Sequence, residues 1–247
     1  MKITQKRLAA LCDTLRALVP ECRLMITESG ISVLAVDTAN VGIVSINLPK
    51  ASFEEYAEET AEIGMDVTKW KDMLSIMKDP ASTITINRDS TSGKIRISDG
   101  LYTYTHVPLD ANTLRKKAKP PHISLASSVI VDAKEYNEVV KAMGVIGDKV
   151  RLQIDGEHLE LKADGDTDSI RKEITSQPQD KKNGPAVASL FSIDYLKDVA
   201  KAMKDAGTIT VHLGMDHPVR FDFDYEGMEC SFLLAPRIPE EGEGGGK

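Results

Sequence analysis

The chain has 247 residues, a net charge of −7, 41% hydrophobic and 28% charged residues. That length suits two domains of about 120 residues, that composition suits an ordinary globular protein, and the acidic balance argues against an indiscriminate nucleic-acid binder. No run approaches 18 apolar residues; Met1–Arg7 lacks the apolar core of a signal peptide; Cys12, Cys22 and Cys230 fit no metal spacing and read as reduced, buried thiols of a cytosol-like compartment.

Leu8, Leu11, Leu15 and Leu18 recur at the spacing of one buried helical face, which predicts a helix over 4–19. A strand pair over 22–36 turns at Gly30, and a β-branched run follows at 41–48. Val67, Trp70, Met73, Leu74 and Met77 mark a second helix over 67–78, where Trp70 reads as core rather than as a stacking platform. Runs at 83–88, 94–98 and 101–107 read as strands, closed by Ser92-Gly93 and Asp99-Gly100. Leu114 through Pro121 carries four positive charges and a proline pair, so it reads as an extended connector. A solvated linker is the plain reading of it, and the border of a partner site the sharper one. Tyr136, Val139, Val140 and Met143 then predict a helix within 132–145, and a strand pair over 149–163 turns at Gly156. Ile193, Leu196, Val199, Ala200 and Met203 predict a fourth helix over 193–205. Strands at 208–213, 219–225 (closed by Glu226-Gly227) and 228–234 precede a polar run, Glu240–Lys247, that reads as flexible.

The second half copies the first about 126 residues on. Met77-Lys78-Asp79-Pro80-Ala81-Ser82-Thr83-Ile84-Thr85-Ile86 is echoed by Met203-Lys204-Asp205-Ala206-Gly207-Thr208-Ile209-Thr210-Val211. Repetition at this period means two copies of one domain rather than a short-repeat solenoid. The fold class is therefore α+β, a duplicated domain with two helices on antiparallel sheets in each copy. The expected boundaries are 1–113, a connector 114–124, 125–239 and a tail 240–247. No phosphate-binding loop and no nucleophile elbow occurs, and the five histidines lack ligand spacing. Asp164-Gly165-Asp166-Thr167-Asp168 opens like a calcium loop but lacks the glycine at its sixth position and the glutamate at its twelfth, where Thr175 stands. No catalytic, metal or cofactor site is expected. The competing class, an enzyme whose acidic loops hold a catalytic metal, would show hydrolysis abolished by Asp166→Ala.

Three further motifs carry a resemblance: Leu34-Ala35-Val36-Asp37-Thr38-Ala39-Asn40-Val41 after Ser29-Gly30-Ile31, Ile146-Gly147-Asp148, and the terminal Leu234-Ala235-Pro236-Arg237-Ile238. With the duplicated frame, they resemble the DNA sliding-clamp family of proliferating cell nuclear antigen over residues 3–240, with the compact loops of its archaeal members. The resemblance implies a closed homotrimeric ring around duplex DNA, helices inside and sheets outside, with no catalytic activity. It implies a clamp loader (replication factor C) that opens the ring. It also implies docking of DNA polymerase, flap endonuclease, DNA ligase and other PIP-box proteins, those with a Gln-x-x-aliphatic-x-x-aromatic-aromatic motif. One subunit of a heterotrimer is the alternative within the family. The location implied is cytoplasmic and nucleoid-associated in an archaeon, nuclear in a eukaryote.

Charge is consistent with that picture. The four predicted helices hold eleven basic and seven acidic residues, +4, which leaves −11 for the rest of the chain. Positive helices on a negative body steer phosphate toward one face, although charged helix faces are also simply solvated. The expected DNA contacts are Lys6, Arg7, Arg16, Lys69, Lys71, Lys78, Lys141 and Lys201, all to phosphates and none to bases. The resemblance places partner docking at Val36, Asn40, Val41, Leu114, Pro218, Leu233, Leu234, Ala235, Pro236, Arg237 and Ile238. The connector is unusually basic for the family through Arg115, Lys116, Lys117 and Lys119. The resemblance also implies that a Tyr102–Asp110 strand pairs with Ile170–Ser176 of a neighbour, through Tyr102, Tyr104, His106, Leu109, Ile170, Lys172 and Ile174. Proline at Ile174 is expected to remove a donor from that free edge.

Overall fold

The computed structural model describes residues 1–56, 60–115, 123–176 and 184–238. Among these, one sequence of elements occurs four times: a strand, a helix, then three strands. The first passage is β1 (Lys2–Thr4), α1 (Gln5–Arg16), β2 (Glu21–Thr27), β3 (Gly30–Val36) and β4 (Gly42–Pro49), followed by a single 3₁₀ turn at Lys50–Ser52. The second is β5 (Ala61–Asp66), α2 (Val67–Ile76), β6 (Thr83–Arg88), β7 (Ile95–Ser98) and β8 (Thr103–His106). The third is β9 (Ser127–Asp132), α3 (Ala133–Ile146), β10 (Lys149–Asp155), β11 (His158–Asp164) and β12 (Ser169–Thr175). The fourth is β13 (Val187–Ser192), α4 (Ile193–Met203), β14 (Thr208–Leu213), β15 (Val219–Tyr225) and β16 (Met228–Leu234). The twofold repeat legible in the sequence is thus itself a doubling.

The chain divides into two compact units, Met1–Pro120 with Asp224–Cys230, and Pro121–Phe223 with Ser231–Lys247. In the first unit the strands run β1-β6-β7-β8 and β5-β2-β3-β4; in the second they run β9-β14-β15-β16 and β13-β10-β11-β12. Each passage has therefore lent its first strand to the sheet of the other. All described pairings are antiparallel, for example Lys2↔Thr85 and Glu21↔Asp66.

The exchange is reinforced where the helices begin. An α-helix leaves its first amide groups unsatisfied. Side-chain caps take up one each: Thr4 accepts from the Arg7 amide, Asp66 from Lys69 and Asp132 from Glu135. The first helical amide is satisfied from the loop after the partner helix, four times over. Gln5 N–H donates to the Ser82 carbonyl (2.8 Å), Val67 to Pro20 (2.9 Å), Ala133 to Gly207 (2.9 Å) and Ile193 to Asp148 (2.9 Å). Each helix start is thus tied to the end of its neighbour. The apolar faces close the core: Leu8, Leu11, Leu15, Trp70 and Leu74 in the first unit, Tyr136, Val140, Leu196 and Met203 in the second, all at most 3% exposed. Each such burial contributes about 1.5–3 kcal/mol relative to an exposed side chain.

The structure shortens several predicted elements and adds others. The helix predicted over 4–19 ends at Arg16, and the one over 67–78 ends at Ile76, each followed within four residues by a proline that cannot continue it. Strand 101–107 is reduced to Thr103–His106. The strands β1, β5, β9 and β13 were absent from the sequence reading because each runs directly into a helix and has only three to six residues. Connector residues 116–122 and the tail from Pro239 lie outside the described residues.

Candidate nucleic-acid and partner interfaces

Among the strands that end a sheet are β8 in the first unit and β12 in the second, each paired on one side only. Residues along an antiparallel strand point their N–H and C=O alternately to one neighbour and the other. On β12, Ser176 N–H donates to Glu157 O and Gly165 N–H to Asp168 O, so the even-numbered residues face β11. The groups left free belong to Arg171, Glu173 and Thr175, whose side chains are also exposed. Ile170, Lys172 and Ile174 turn their backbone inward, and the Ile174 side chain is buried. The same phase argument from Asp89 N–H to Lys94 O sends the backbone of Tyr104 and His106 toward β7 and leaves Thr103 and Thr105 free. The expected edge residues are therefore one position out of phase, and proline at Ile174 would strike a bond inside the unit. Tyr102 lies in the turn before β8, its N–H donating to Asp99 Oδ1 (2.7 Å), and Leu109 instead bridges Gly64 of β5 (3.0 Å).

His106 sits on β8 against α2. The buried Trp70 Nε1–H donates to His106 Nε2 (3.1 Å), and the Tyr104 ring stacks on the imidazole. Burial, with Lys69 nearby, lowers the His106 pKa from 6.5 and so favours the neutral imidazole.

The helical cations separate into two groups. Arg16, Lys78, Lys141 and Lys201 are exposed and form no ion pair among the described residues. Lys6 pairs with Glu226 (2.7 Å), Lys69 with Asp66 (3.4 Å) and Lys71 with Asp13. Arg7 is half-buried, and its guanidinium donates to the carbonyls of Ser52 and Glu226 (2.7 Å to the latter), all within the first unit. Arg7 thereby clamps these two carbonyls together inside the fold. Lys78 lies beyond the end of α2.

Of the residues expected to dock partners, Val36, Asn40 and Val41 of the first unit lie on or beside one hydrogen-bonded turn. Asp37 is 5% exposed, and its carboxylate accepts from the amides of Ala39 (3.2 Å), Val41 (2.8 Å) and Gly42 (2.7 Å). Asn40 closes the turn in the left-handed region at φ 61°, which asparagine tolerates better than most residues. Arg115 donates to the Asp37 carbonyl and to the Asn40 side chain. Arg23 in turn donates to the carbonyls of Leu114 (2.7 Å) and Arg115 (3.1 Å) and pairs with Glu62 (2.8 Å). Two arginines thus fasten the root of the connector beside Val36 and Val41, both half-buried.

In the second unit Pro218, Leu233, Ala235 and Pro236 are half-buried and Leu234 is buried, while Ile238 is 90% exposed. The segment after β16 is held by Arg237, whose N–H donates to Leu190 O (2.7 Å). Such an exit leaves an apolar side chain standing in solvent next to anchored backbone.

Family patterns match both halves: the N-terminal domain of proliferating cell nuclear antigen over residues 3–98, and its C-terminal domain over 120–238. The chain belongs to the proliferating cell nuclear antigen family. Proteins named DNA polymerase sliding clamp from Methanocorpusculum labreanum and Methanospirillum hungatei are 38% and 39% identical to it over 230 residues, covering 92% of this chain and 93% of each relative. An Archaeoglobus-type structure, described as the C-terminal region of FEN-1 bound to A. fulgidus PCNA, superposes with a TM-score of 0.89 at 30% identity, covering 97% of this chain and 98% of that one. The Thermococcus kodakaraensis PCNA gives a TM-score of 0.86 at 23% identity, covering 96% and 99%, a likeness of fold.

For this member of the family, sequence reasoning missed Arg23 and Glu62. Both sit on strands with ordinary alternation, and nothing in their spacing marks them. Arg115 was read only as connector charge, although its position two residues after a tight Asp110–Thr113 turn makes it the first side chain able to reach back. No helix among the described residues is long and apolar enough to cross a membrane.

Proposed function

We propose that this chain is a non-catalytic DNA sliding clamp: a closed ring around duplex DNA that tethers DNA polymerase and other replication and repair enzymes. The observation that carries this reading is the family match across both halves of the chain. Tethering turns polymerase rebinding into an effectively intramolecular event, so weak DNA contacts suffice. Ring closure by three copies is supported by the two free edges, since pairing β8 of one copy with β12 of the next would remove both. In this reading Arg16, Lys78, Lys141 and Lys201 touch phosphates, and Lys6, Lys69 and Lys71 join them by exchanging intramolecular carboxylates for DNA. Partners dock on Val36, Asn40, Val41 and Leu114 together with Pro218 and Leu233 to Ile238, and the archaeal relatives make the nucleoid the expected place of action. A clamp loader of the replication factor C class opens the ring, and flap endonuclease and DNA ligase share the docking site.

Topological linkage is the direct test. Loaded onto nicked circular duplex, the protein should be retained through gel filtration and released when the circle is linearised. Primer extension by a cognate polymerase should lengthen in its presence, and mass measurement should give three times 27.0 kDa. Retention that does not depend on circularity would overturn the proposal. At the proposed docking site, Val41→Asp puts a charge in place of a half-buried apolar side chain. It should abolish binding of a Gln-x-x-aliphatic-x-x-aromatic-aromatic peptide while leaving the assembly mass unchanged.

A further inference from the structure

The core of the first unit holds a cavity of about 210 Å³. Leu11, Leu24, Ile31, Leu48, Trp70 and Ile86 are among its walls, each at most 7% exposed. The only polar atom on these six side chains, Trp70 Nε1, is already spent on His106. A buried water needs two to four polar partners, so water has little to hold it there; an apolar cavity of about 150 Å³ stays dry and accepts benzene. The second unit packs the same topology around Tyr136, Phe191, Phe221 and Phe232, all at most 1% exposed, whereas among the described residues the aromatic side chains buried in the first unit are Phe53 and Trp70. The void is where aromatic bulk is missing.

The mouth has a different character. Asn87 and Arg88, at the end of β6, are exposed, and half-buried Met1 stands beside them, its ammonium group donating to Ile86 O (2.9 Å). Arg88 follows Ile86 by two residues and so shares its face of β6, and a guanidinium fork at the rim of an apolar chamber suits one planar anionic head on a hydrocarbon body. We propose that the first unit binds a small alkyl carboxylate, of the size of octanoate, with its chain in this cavity and its head at Arg88.

Calorimetric titration of the full-length protein tests this with three probes: octanoate, 1-octanol and acetate. Octanoate should bind once per chain, 1-octanol about tenfold more weakly for want of the charge-assisted bond, and acetate not at all. Arg88→Gln should bring octanoate down to the affinity of 1-octanol and leave 1-octanol unchanged. Leu24→Phe combined with Ile86→Phe should narrow the chamber and weaken both; if circular dichroism shows that variant unfolded, either single substitution takes its place. Absence of octanoate binding at millimolar concentration, or undiminished binding in a folded narrowed variant, overturns the site. Unchanged octanoate affinity in Arg88→Gln overturns the carboxylate assignment.

Discussion

The two units share strand order and even the amide that ties each helix to its neighbour's loop, yet they differ in what fills and what faces them. Helices α1 and α2 carry five basic residues against two acidic; α3 and α4 carry four against four. The second unit has an aromatic core, and the first has mainly aliphatic walls, with Phe53 and Trp70 among them, around a void. Backbone bonds and register are common property, because any change there breaks the sheet exchange. Surface charge and core volume are free to diverge, because neither enters those bonds.

Four experiments would break or sharpen this comparison. The largest effect is expected where the shared backbone is struck. Ile174→Pro removes a β12–β11 bond and should destabilise the second unit by about 3 kcal/mol or more in urea denaturation. Glu173→Pro and Thr105→Pro lie on the free faces of their strands; each should leave the subunit folded and lower the assembly mass measured by light scattering. A Glu173→Pro protein that keeps the full mass would remove β12 from the interface. Next come the cores. Leu24 and Leu152 occupy matching positions on β2 and β10. Leu152→Phe should overpack and cost about 1–3 kcal/mol, the usual penalty for added core volume, while Leu24→Phe, entering the void, should be neutral or stabilising. Equal losses would mean that the cavity does not accept added volume.

The third comparison concerns charge. Arg16→Gln should lower the log–log salt slope of duplex binding by about 0.9, the loss of one phosphate contact, equally for all sequences. Arg7→Gln should leave the slope alone and cost about 1–3 kcal/mol of stability, because two carbonyls lose their donor. The smallest effect is a pH dependence confined to the first unit. His106 titrates lower in the fold than in the unfolded chain, so below pH 6.5 the unfolded chain takes up the proton first. Stability is full above that pH and falls as the pH drops from 6.5 toward the lowered native value. His106→Gln should flatten this part of the stability profile, and an unchanged profile would assign the acid sensitivity elsewhere.

Much of the architecture could be read before any coordinates, and for physical reasons. The leucine stripe of α1 and the apolar stripe of α4 are period signals that burial imposes directly. The turns at Gly30, Gly156 and Gly227 all have positive φ, which is why glycine marks them. Trp70 was legible as core because its spacing matched its neighbours. The four strands before the helices were not: Lys2–Thr4 has too few residues to display a period, and the other three run without a turn into the stronger apolar stripe of a helix. The free edges were recognisable as strands, but which residues point outward depends on hydrogen-bond phase, and a one-residue slip exchanges the two sets. Arg7 and Arg16 look alike on a helical wheel. Only the Ser52 and Glu226 carbonyls, 45 and 219 residues away from Arg7, tell them apart.

The exchange of first strands also orders events during synthesis. Lys2–Thr4 leaves the ribosome well before its pairing partner Thr83–Thr85, which follows about 80 residues later. At roughly 5–20 residues per second, the chain waits about 4–16 s before β1 has a sheet to join. Ser127–Asp132 faces the same delay before Thr208–Leu213. Each passage of strand, helix and three strands is therefore incomplete on its own while it emerges, and a nascent chain halted between the two has an amphipathic helix with no partner to cover it. The unit of folding is the pair, and translation has to deliver both members before either is secure.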